Sequence, residues 1–539
     1  MDTIWTNGKF ITGDVSYPEC QALYSKNGVI MAMGSDDEIL ALNSSGNAIV
    51  EDLGGRYVFP GFVDSHMHLL EFAQQDSMIH LNDAKSFADV AELCRSRLDW
   101  ARESGKWISA IGFNQDDWDV CKLPTRRDLD TISTDVPITI RRSCLHISVC
   151  NTRAMEEMGF LDNPPKDGAG NFDRYEDGTL NGIIREMSQM LIFESFPPLS
   201  KDDIKALIVR GCNKAAAKGI VEIQTDDFHS TPNDHGEVIM EAYRELAESG
   251  ELPIRIYEQC YLSNEDGLDI FLAEGHHTGE DHGLFRIGPL KIVMDGSLGS
   301  HSAYMRKPYA NDPSTRGIAY YEKDELNSYI KKAHDAGLQI AVHCIGDAAL
   351  EDVLDAFEKA QWENPRTDCR HGIVHCQIMD KAQQDRFKKL GIMGYVQPIF
   401  LRCDMNIADE CVGINLASQS YNWRQFLDQG VHISGGSDCP VESFDIMPNI
   451  QYAVTRKNFE TGKSWYPENA MTAKEAVKVF TYEGAYASFS ERTRGTLSIG
   501  KEADMAVLDN NPLTVPAENI DKIQVFQTVV KGKTVFKSN

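Results

Sequence analysis

Eight short apolar runs, most of them separated by helix-length patterns, set the strongest limit on what this 539-residue chain can fold into. They are Phe59–His66, Ile220–Asp226, Ile254–Leu262, Ile287–Asp295, Gln339–Ile345, Gly372–Gln377, Ile392–Gln397 and Val431–Ser437. Helical patterns such as Asp324–Ala336 and Ala348–Ala360 lie between them. Alternation of this kind marks βα units around a parallel sheet, and eight such units predict an α/β fold, the (β/α)8 barrel. Residues 70–215, between the first and second runs, form a stretch far longer than a βα connection needs. Taking them out of 59–445 leaves close to the ~250 residues of a typical barrel. The expectation is therefore a barrel domain over 59–489 carrying a large insert after strand 1, a subdomain or lid at 70–215. The insert has strand-like runs of its own, Trp107–Phe113 and Pro137–Arg142, and a turn-rich patch from Asn163 to Gly182. A competing count places those two runs in the barrel.

The two ends read differently. The first 58 residues alternate as short strands around Asn7-Gly8 and Asn27-Gly28, both hairpin-turn signals. Leu497–Asp509 and Ile523–Phe536, with a Lys531-Gly532-Lys533 turn, repeat the pattern. Short strands rarely stand alone, so residues 1–58 and 490–539 are expected to build one small β-sandwich.

Charge excludes several classes of partner. The 53 basic and 81 acidic residues leave a formal charge of −28, which repels phosphate backbones and anionic membrane surfaces. No run approaches the ~18 apolar residues of a membrane span, and the N-terminus lacks a secretory pattern. The 13 cysteines are odd in number and scattered, without C-x-x-C spacing. A cytoplasmic protein with reduced thiols, no nucleic acid or membrane partner and a small-molecule substrate is expected, with homo-oligomerisation left open.

The chemistry concentrates at strand ends. In Gly61–His68 (GFVDSHMH), alternation puts Asp64, His66 and His68 on one face, where two imidazoles can grip one cation. An isolated H-x-H is weak, but active sites of these barrels sit where strands end. His343 and His375 close the fifth and sixth strands, Asp438 follows the eighth, and Lys291 lies on the fourth. Each has an ordinary structural explanation alone; together they converge on one cup.

These residues, with KIVMDGSLGS (291–300), VHCIGD (342–347), HCQ (375–377), GSDCPV (436–441) and GTLSIGKEADMAVLD (495–509), resemble the metal-dependent amidohydrolase superfamily. The closer likeness is to its branch of N-substituted formamide deformylase-like and exoenzyme-regulator-like proteins, and it covers nearly the whole chain. The resemblance implies His66 and His68 on one metal, His343 and His375 on a second, and Asp438 as ligand and proton shuttle. It also implies a CO2-derived carbamate on Lys291 bridging the two ions. Two divalent cations would repel an ammonium at that position, whereas a carbamate supplies an anionic bridge. The alternative is a single ion on His66, His68, His343 and Asp438 with Lys291 structural; Asp295 is a rival for the bridging place. Zinc is the expected metal. Val374 and His301 depart from residues frequent in the branch, glutamate and arginine. Cys344, Cys376 and Cys439 adjoin proposed ligands and are assigned packing roles.

In the insert, His146 resembles a family position near substrate, able to polarise a carbonyl, with a buried hydrogen-bonded histidine as the alternative. Glu186, Trp118 and Tyr304 are weaker pocket candidates. His276, His277 and His282 read as solvated surface, and Thr472 to Glu475 as a helix capping box. The expected activity is metal-dependent hydrolysis of a non-peptide carbon–nitrogen bond, amide or formamide-like, by a metal-activated hydroxide. Asp438 would pass the proton, and Asp64 would orient a ligand histidine. Rival readings of the same site are a deaminase, a lactonase, a phosphoesterase and a non-catalytic barrel scaffold.

Overall fold

The structure, a computed structural model, describes residues 2–538 apart from 45, 145, 166–170, 231–235 and 263. All eight apolar runs form strands of one sheet: β1 (Phe62–Met67), β2 (Ile220–Thr225), β3 (Arg255–Tyr261), β4 (Phe285–Val293), β5 (Ile340–Cys344), β6 (Gly372–His375), β7 (Met393–Val396) and β8 (Ile433–Gly435). Each pairs in parallel with the next in chain order. The seam between β8 and β1 is closed by backbone just past β8. Ser437 and Asp438 donate N–H bonds to the His66 carbonyl at 3.2 and 2.8 Å, and His68 N–H donates to the Cys439 carbonyl at 2.8 Å. Gly436 permits this approach, because a Cβ there would stand 2.7 Å from the His66 nitrogen.

Helices Lys323–Asp335 and Asp347–Glu363 connect β4 to β5 and β5 to β6, close to their expected spans. The Thr472–Glu475 capping box is formed at the start of helix Ala473–Val479. His276 and His282 are not free surface groups: both reach Glu280, at 2.9 and 2.8 Å.

The two ends of the chain meet in two sheets. One, in spatial order, contains Val29–Gly34, Ala22–Lys26, Asp2–Thr6 and Ile49–Asp52. The other contains Lys533–Lys537, Val525–Val530, Met505–Leu508, Tyr57–Pro60, Lys9–Ile11 and Glu19–Cys20. Trp5, Leu23 and Ile30 from the first bury against Phe10, Val58, Met505, Val507 and Val529 from the second, making a sandwich. Asn27-Gly28 turns a hairpin with φ of 52° and 82°, as its type I′ signature requires. Asn7-Gly8 instead carries the chain from one sheet to the other.

The chain divides into two compact units, 1–69 with 208–228 and 236–539, and 70–207 with 229–235. In the second unit Trp107–Phe113 and Pro137–Arg142 contribute to a six-stranded sheet ordered Phe172–Arg174, Leu180–Arg185, Ile147–Cys150, Ile138–Arg142, Ile108–Phe113, Ile79–His80. The barrel uses neither run. Residues 166–170 of the expected turn-rich patch lie outside the described residues. No helix among the described residues is long and apolar enough to cross a membrane.

Barrel and sandwich are joined by buried charge. Arg255, opening β3, places Nη2 2.6 Å from Glu502 and Nη1 2.7 Å from Asp504, while Arg494 lies 2.5 Å from Glu222 of β2. Arg255 is 3% exposed. Removing one member of such a set leaves an uncompensated buried charge, at a cost of about 3–5 kcal/mol. Arg255→Met is expected to lower the unfolding free energy by about that amount in urea denaturation; a loss under ~1 kcal/mol would show that the pairs contribute no net attraction.

Candidate metal centre

Six side chains distant along the chain meet at the C-terminal ends of β1, β4, β5, β6 and β8. His66 and His68, at and just past the end of β1, each place Nε2 3.1 Å from Asp438 Oδ1. The candidate ligand atoms of these three residues all lie within 4.8 Å of one another. Lys291 Nζ stands 3.5 Å from His66 Nε2. The His375 ring lies 5.7 Å from that of His66, and His375 Nε2 is 2.8 Å from His343 Nδ1. His66, His68, Lys291, His343, His375 and Asp438 thus stand together.

The outer nitrogens of the rings are engaged from behind. His66 Nδ1 meets Gln259 Oε1 at 2.9 Å, and His375 Nδ1 meets Gln397 Oε1 at 3.0 Å. His68 Nδ1 meets the Asp226 carbonyl at 3.2 Å. Acceptors at these positions fix tautomer and ring orientation, leaving Nε2 lone pairs directed inward on His66 and His375. Sequence reasoning assigned the orienting role to Asp64, and the structure overturns that. Asp64 accepts instead from His66 N–H, Ser437 N–H and Ser437 Oγ, at 3.2, 3.0 and 2.6 Å, bracing the backbone of the seam. Of the partners that do orient the rings, Gln397 ends its apolar run and is marked by that, whereas Gln259 lies inside its run and Asp226 acts through its backbone carbonyl.

Asp295 is also accounted for. Its carboxylate accepts from the backbone N–H of Tyr304, Ile345 and Gly346 at 2.7–3.0 Å, which secures the loop after β5. Lys291, the residue it rivalled, is buried with Nζ 2.9 Å from Asp226 Oδ2.

Electrostatics favour a cation. Burial and the Lys291 charge hold the His66 imidazole down to about 4 and His343 to about 3, and burial with His343 places His375 well below the ordinary histidine range. Burial opposes ionisation of Asp438, but the His66 and His68 rings it faces keep its carboxyl well below the usual range. Burial likewise opposes a charge on His68, yet Asp438 and Asp226 raise it to about 9. The cup therefore offers neutral imidazoles beside a carboxylate, with one proton on His68 standing where a cation would bind. His375 and Asp438 both hold positive φ, 83° and 58°. Such backbone costs about 1–3 kcal/mol and collects at functional sites. Burial pushes the Cys344 and Cys376 thiols far up, so neutral packing roles fit them.

The remaining candidates are held by other contacts. His146 belongs to the second unit; it is exposed, not buried, and its Nδ1 lies 2.9 Å from Glu186 Oε2. Trp118 packs in that unit's apolar core beside Phe113. Val374 lies in an apolar cluster with Ala341, Met393 and Tyr395, and His301 stacks on Tyr309. Tyr304 is held through its backbone by Asp295 and through its hydroxyl by Arg316.

A second cluster, His334, Cys369 and His371, has metal-like spacing. Its protons argue against an ion. Ile340 N–H donates to His371 Nδ1 at 3.1 Å, so the His371 proton sits on Nε2 and points at His334 Nδ1, 2.9 Å away. His334 Nε2 then donates to the Asn364 carbonyl at 2.8 Å. The lone pair a metal would need on His371 is already used, and the pair reads as a neutral hydrogen-bonded strut.

Residues 50–536 match the model of the amidohydrolase family. YtcJ of Bacillus subtilis, a protein assigned to the amidohydrolases, is 28% identical with the whole of both chains covered. An N-substituted formamide deformylase of Arthrobacter pascens is 24% identical, covering 98% of this chain and 97% of its own. An uncharacterised metal-dependent hydrolase from Pyrococcus horikoshii superposes with a TM-score of 0.78 at 27% identity, over 96% of this chain and 99% of that one. With the barrel, the paired terminal sheets and the strand-end histidines in place, the chain belongs to the amidohydrolase family.

Proposed function

We propose that this metal-dependent hydrolase cleaves a carbon–nitrogen bond of amide or formamide type in a small molecule. The observation that carries the reading is the convergence of His66, His68 and Asp438 on one point, backed by Gln259 and Asp226. The full-length similarity to a protein named N-substituted formamide deformylase supports the bond class. Residues 59–489 would form the catalytic barrel, 70–215 its insert, and 1–58 with 490–539 the sandwich.

The donor set fits a divalent ion. Nitrogen and carboxylate ligands suit zinc. His66, His68 and Asp438 would hold one ion, and His343 and His375 a second, with Lys291 as a carbamate between them. When bound, such an ion polarises a carbonyl and lowers the pKa of water from ~15.7 to about 7. The rest is done by the chain. Gln259 and Gln397 keep the imidazoles aimed inward. Asp438, ionised and almost buried, takes the proton from the attacking water and delivers it to the departing nitrogen. Water oxygen joins the carbonyl carbon, the C–N bond breaks, and acid and amine leave. A single-ion form is favoured by the contact of Lys291 with Asp226, which satisfies an ammonium where a carbamate is otherwise proposed.

Metal analysis of the purified protein tests the reading together with N-formyl and N-acyl substrates screened against lactones and aminopurines. One or two ions per chain and chelator-sensitive release of amine are expected; metal-free protein without hydrolysis would favour a scaffold. Asp438→Asn is expected to lower kcat by ~10²–10⁴-fold while the melting temperature holds, and full activity would remove the shuttle role. Metal uptake should also depend on pH. His68 must lose its proton to bind, so apparent affinity is expected to rise about tenfold per unit up to about pH 9 and then level. Chelator competition at several pH values measures this; an affinity unchanged between pH 7 and 9 would contradict the His68–Asp438 ion pair.

A further inference from the structure

The second unit contains a cavity of about 470 Å³. Its floor is one face of the six-stranded sheet. Alternation sends Ile108, Ala110, Ile138, Ile140 and Val149 into the apolar core on one side. Ser109, Ile111, Thr139, Arg141 and Ser148 go to the other side, where they line the cavity. Strand register sets these five beside one another: Ser109 opposite Thr139, Ile111 opposite Arg141, and Arg141 opposite Ser148.

A polar sheet face of this kind ordinarily looks onto water. Here Met78, Met190, Phe193 and Phe196 line the same cavity. The Arg141 guanidinium lies 5.4 Å from the centre of the Phe193 ring, and Phe193 meets Phe196 edge to face at 5.7 Å. Burial pulls Arg141 below the ordinary arginine value, with Glu71 acting against the shift. A half-buried cation beside an aromatic ring gains from an anionic ligand group, since a charge-assisted hydrogen bond is worth more away from bulk water. The volume matches small-molecule sites and far exceeds an ordinary packing void. The exposed carboxylates Glu71 and Glu194 also line the cavity and disfavour a doubly charged ligand such as a phosphate monoester.

We propose that this cavity is a binding site for an amphipathic monocarboxylate, an aryl- or alkyl-substituted acid. Its carboxylate pairs with Arg141, with the Ser109 and Thr139 hydroxyls alongside, and its apolar body lies against Phe193, Phe196 and the two methionines. The site is confined to the second unit and is expected to bind whether or not the barrel holds metal.

Calorimetric titration of the full chain, metal-loaded and chelated, with 4-phenylbutanoate and with 4-phenylbutanol tests this. The acid is expected to bind one per chain, about tenfold or more tighter than the alcohol, as loss of a charged hydrogen bond implies. Arg141→Met should bring the acid down to the alcohol, and Arg141→Lys should keep most of the preference. Equal binding of acid and alcohol to the natural chain would overturn the proposal, as would undiminished acid binding by Arg141→Met. If Arg141→Met fails to fold, the acid–alcohol comparison and Arg141→Lys decide: a Lys variant without preference for the acid counts against it. Weak binding in metal-loaded protein that vanishes on chelation would place the acid at the barrel centre and also overturn the proposal.

Discussion

The seam between the first and last barrel strands is the contact on which the rest of this structure depends. Asp64, fully buried on β1, accepts hydrogen bonds from Ser437 N–H, Ser437 Oγ and His66 N–H. The neighbouring His66 carbonyl takes two more from Ser437 and Asp438. One carboxylate and one carbonyl thus close the barrel and set the distance between the two strand ends that bear His66, His68 and Asp438. Burial pushes the Asp64 carboxyl up to about 7, against the downward pull of the three donors that converge on it. Gly436 belongs to the same device: any side chain there would hold the strands apart.

Around that seam the protein maintains two electrostatic regimes within a few ångströms. His66, His343 and His375 are kept neutral by burial, while Asp438 is kept ionised by the groups it faces. Neutral imidazole and carboxylate are the protonation states that a hard or borderline cation requires. The orienting partners, Gln259 and Gln397, carry no charge, so they align the rings without shifting the balance. Asp226 does two jobs, its carbonyl meeting His68 and its carboxylate meeting Lys291.

The comparison with His334, Cys369 and His371 shows that spacing is not sufficient. Both clusters place three donors within reach of one point. What separates them is where protons must lie. At the barrel mouth the outer nitrogens of His66, His68 and His375 face acceptors, so the inner ones can hold lone pairs. At the other cluster a backbone N–H occupies His371 Nδ1 and forces the proton inward. One arrangement can receive a cation; the other ties β5, β6 and two helices together.

The eight strands, the composite sandwich and the six converging side chains were legible in the sequence. Apolar runs of strand length, hairpin dipeptides and metal-competent residues at run ends are local features, and burial reinforces each of them. Gln259, Gln397 and Asp226 were not legible as orienters, and Asp64 was misassigned, because hydrogen-bond partners between strands depend on register and on where each backbone bends. The positive φ of His375 and Asp438 breaks the alternation from which side-chain directions are read. Trp107–Phe113 and Pro137–Arg142 had strand character but no sheet until pairing decided it. Pattern along the chain determined which segments are buried and which carry chemistry; only the closed tertiary structure decided which atoms face one another, since that follows from contacts between residues hundreds of positions apart.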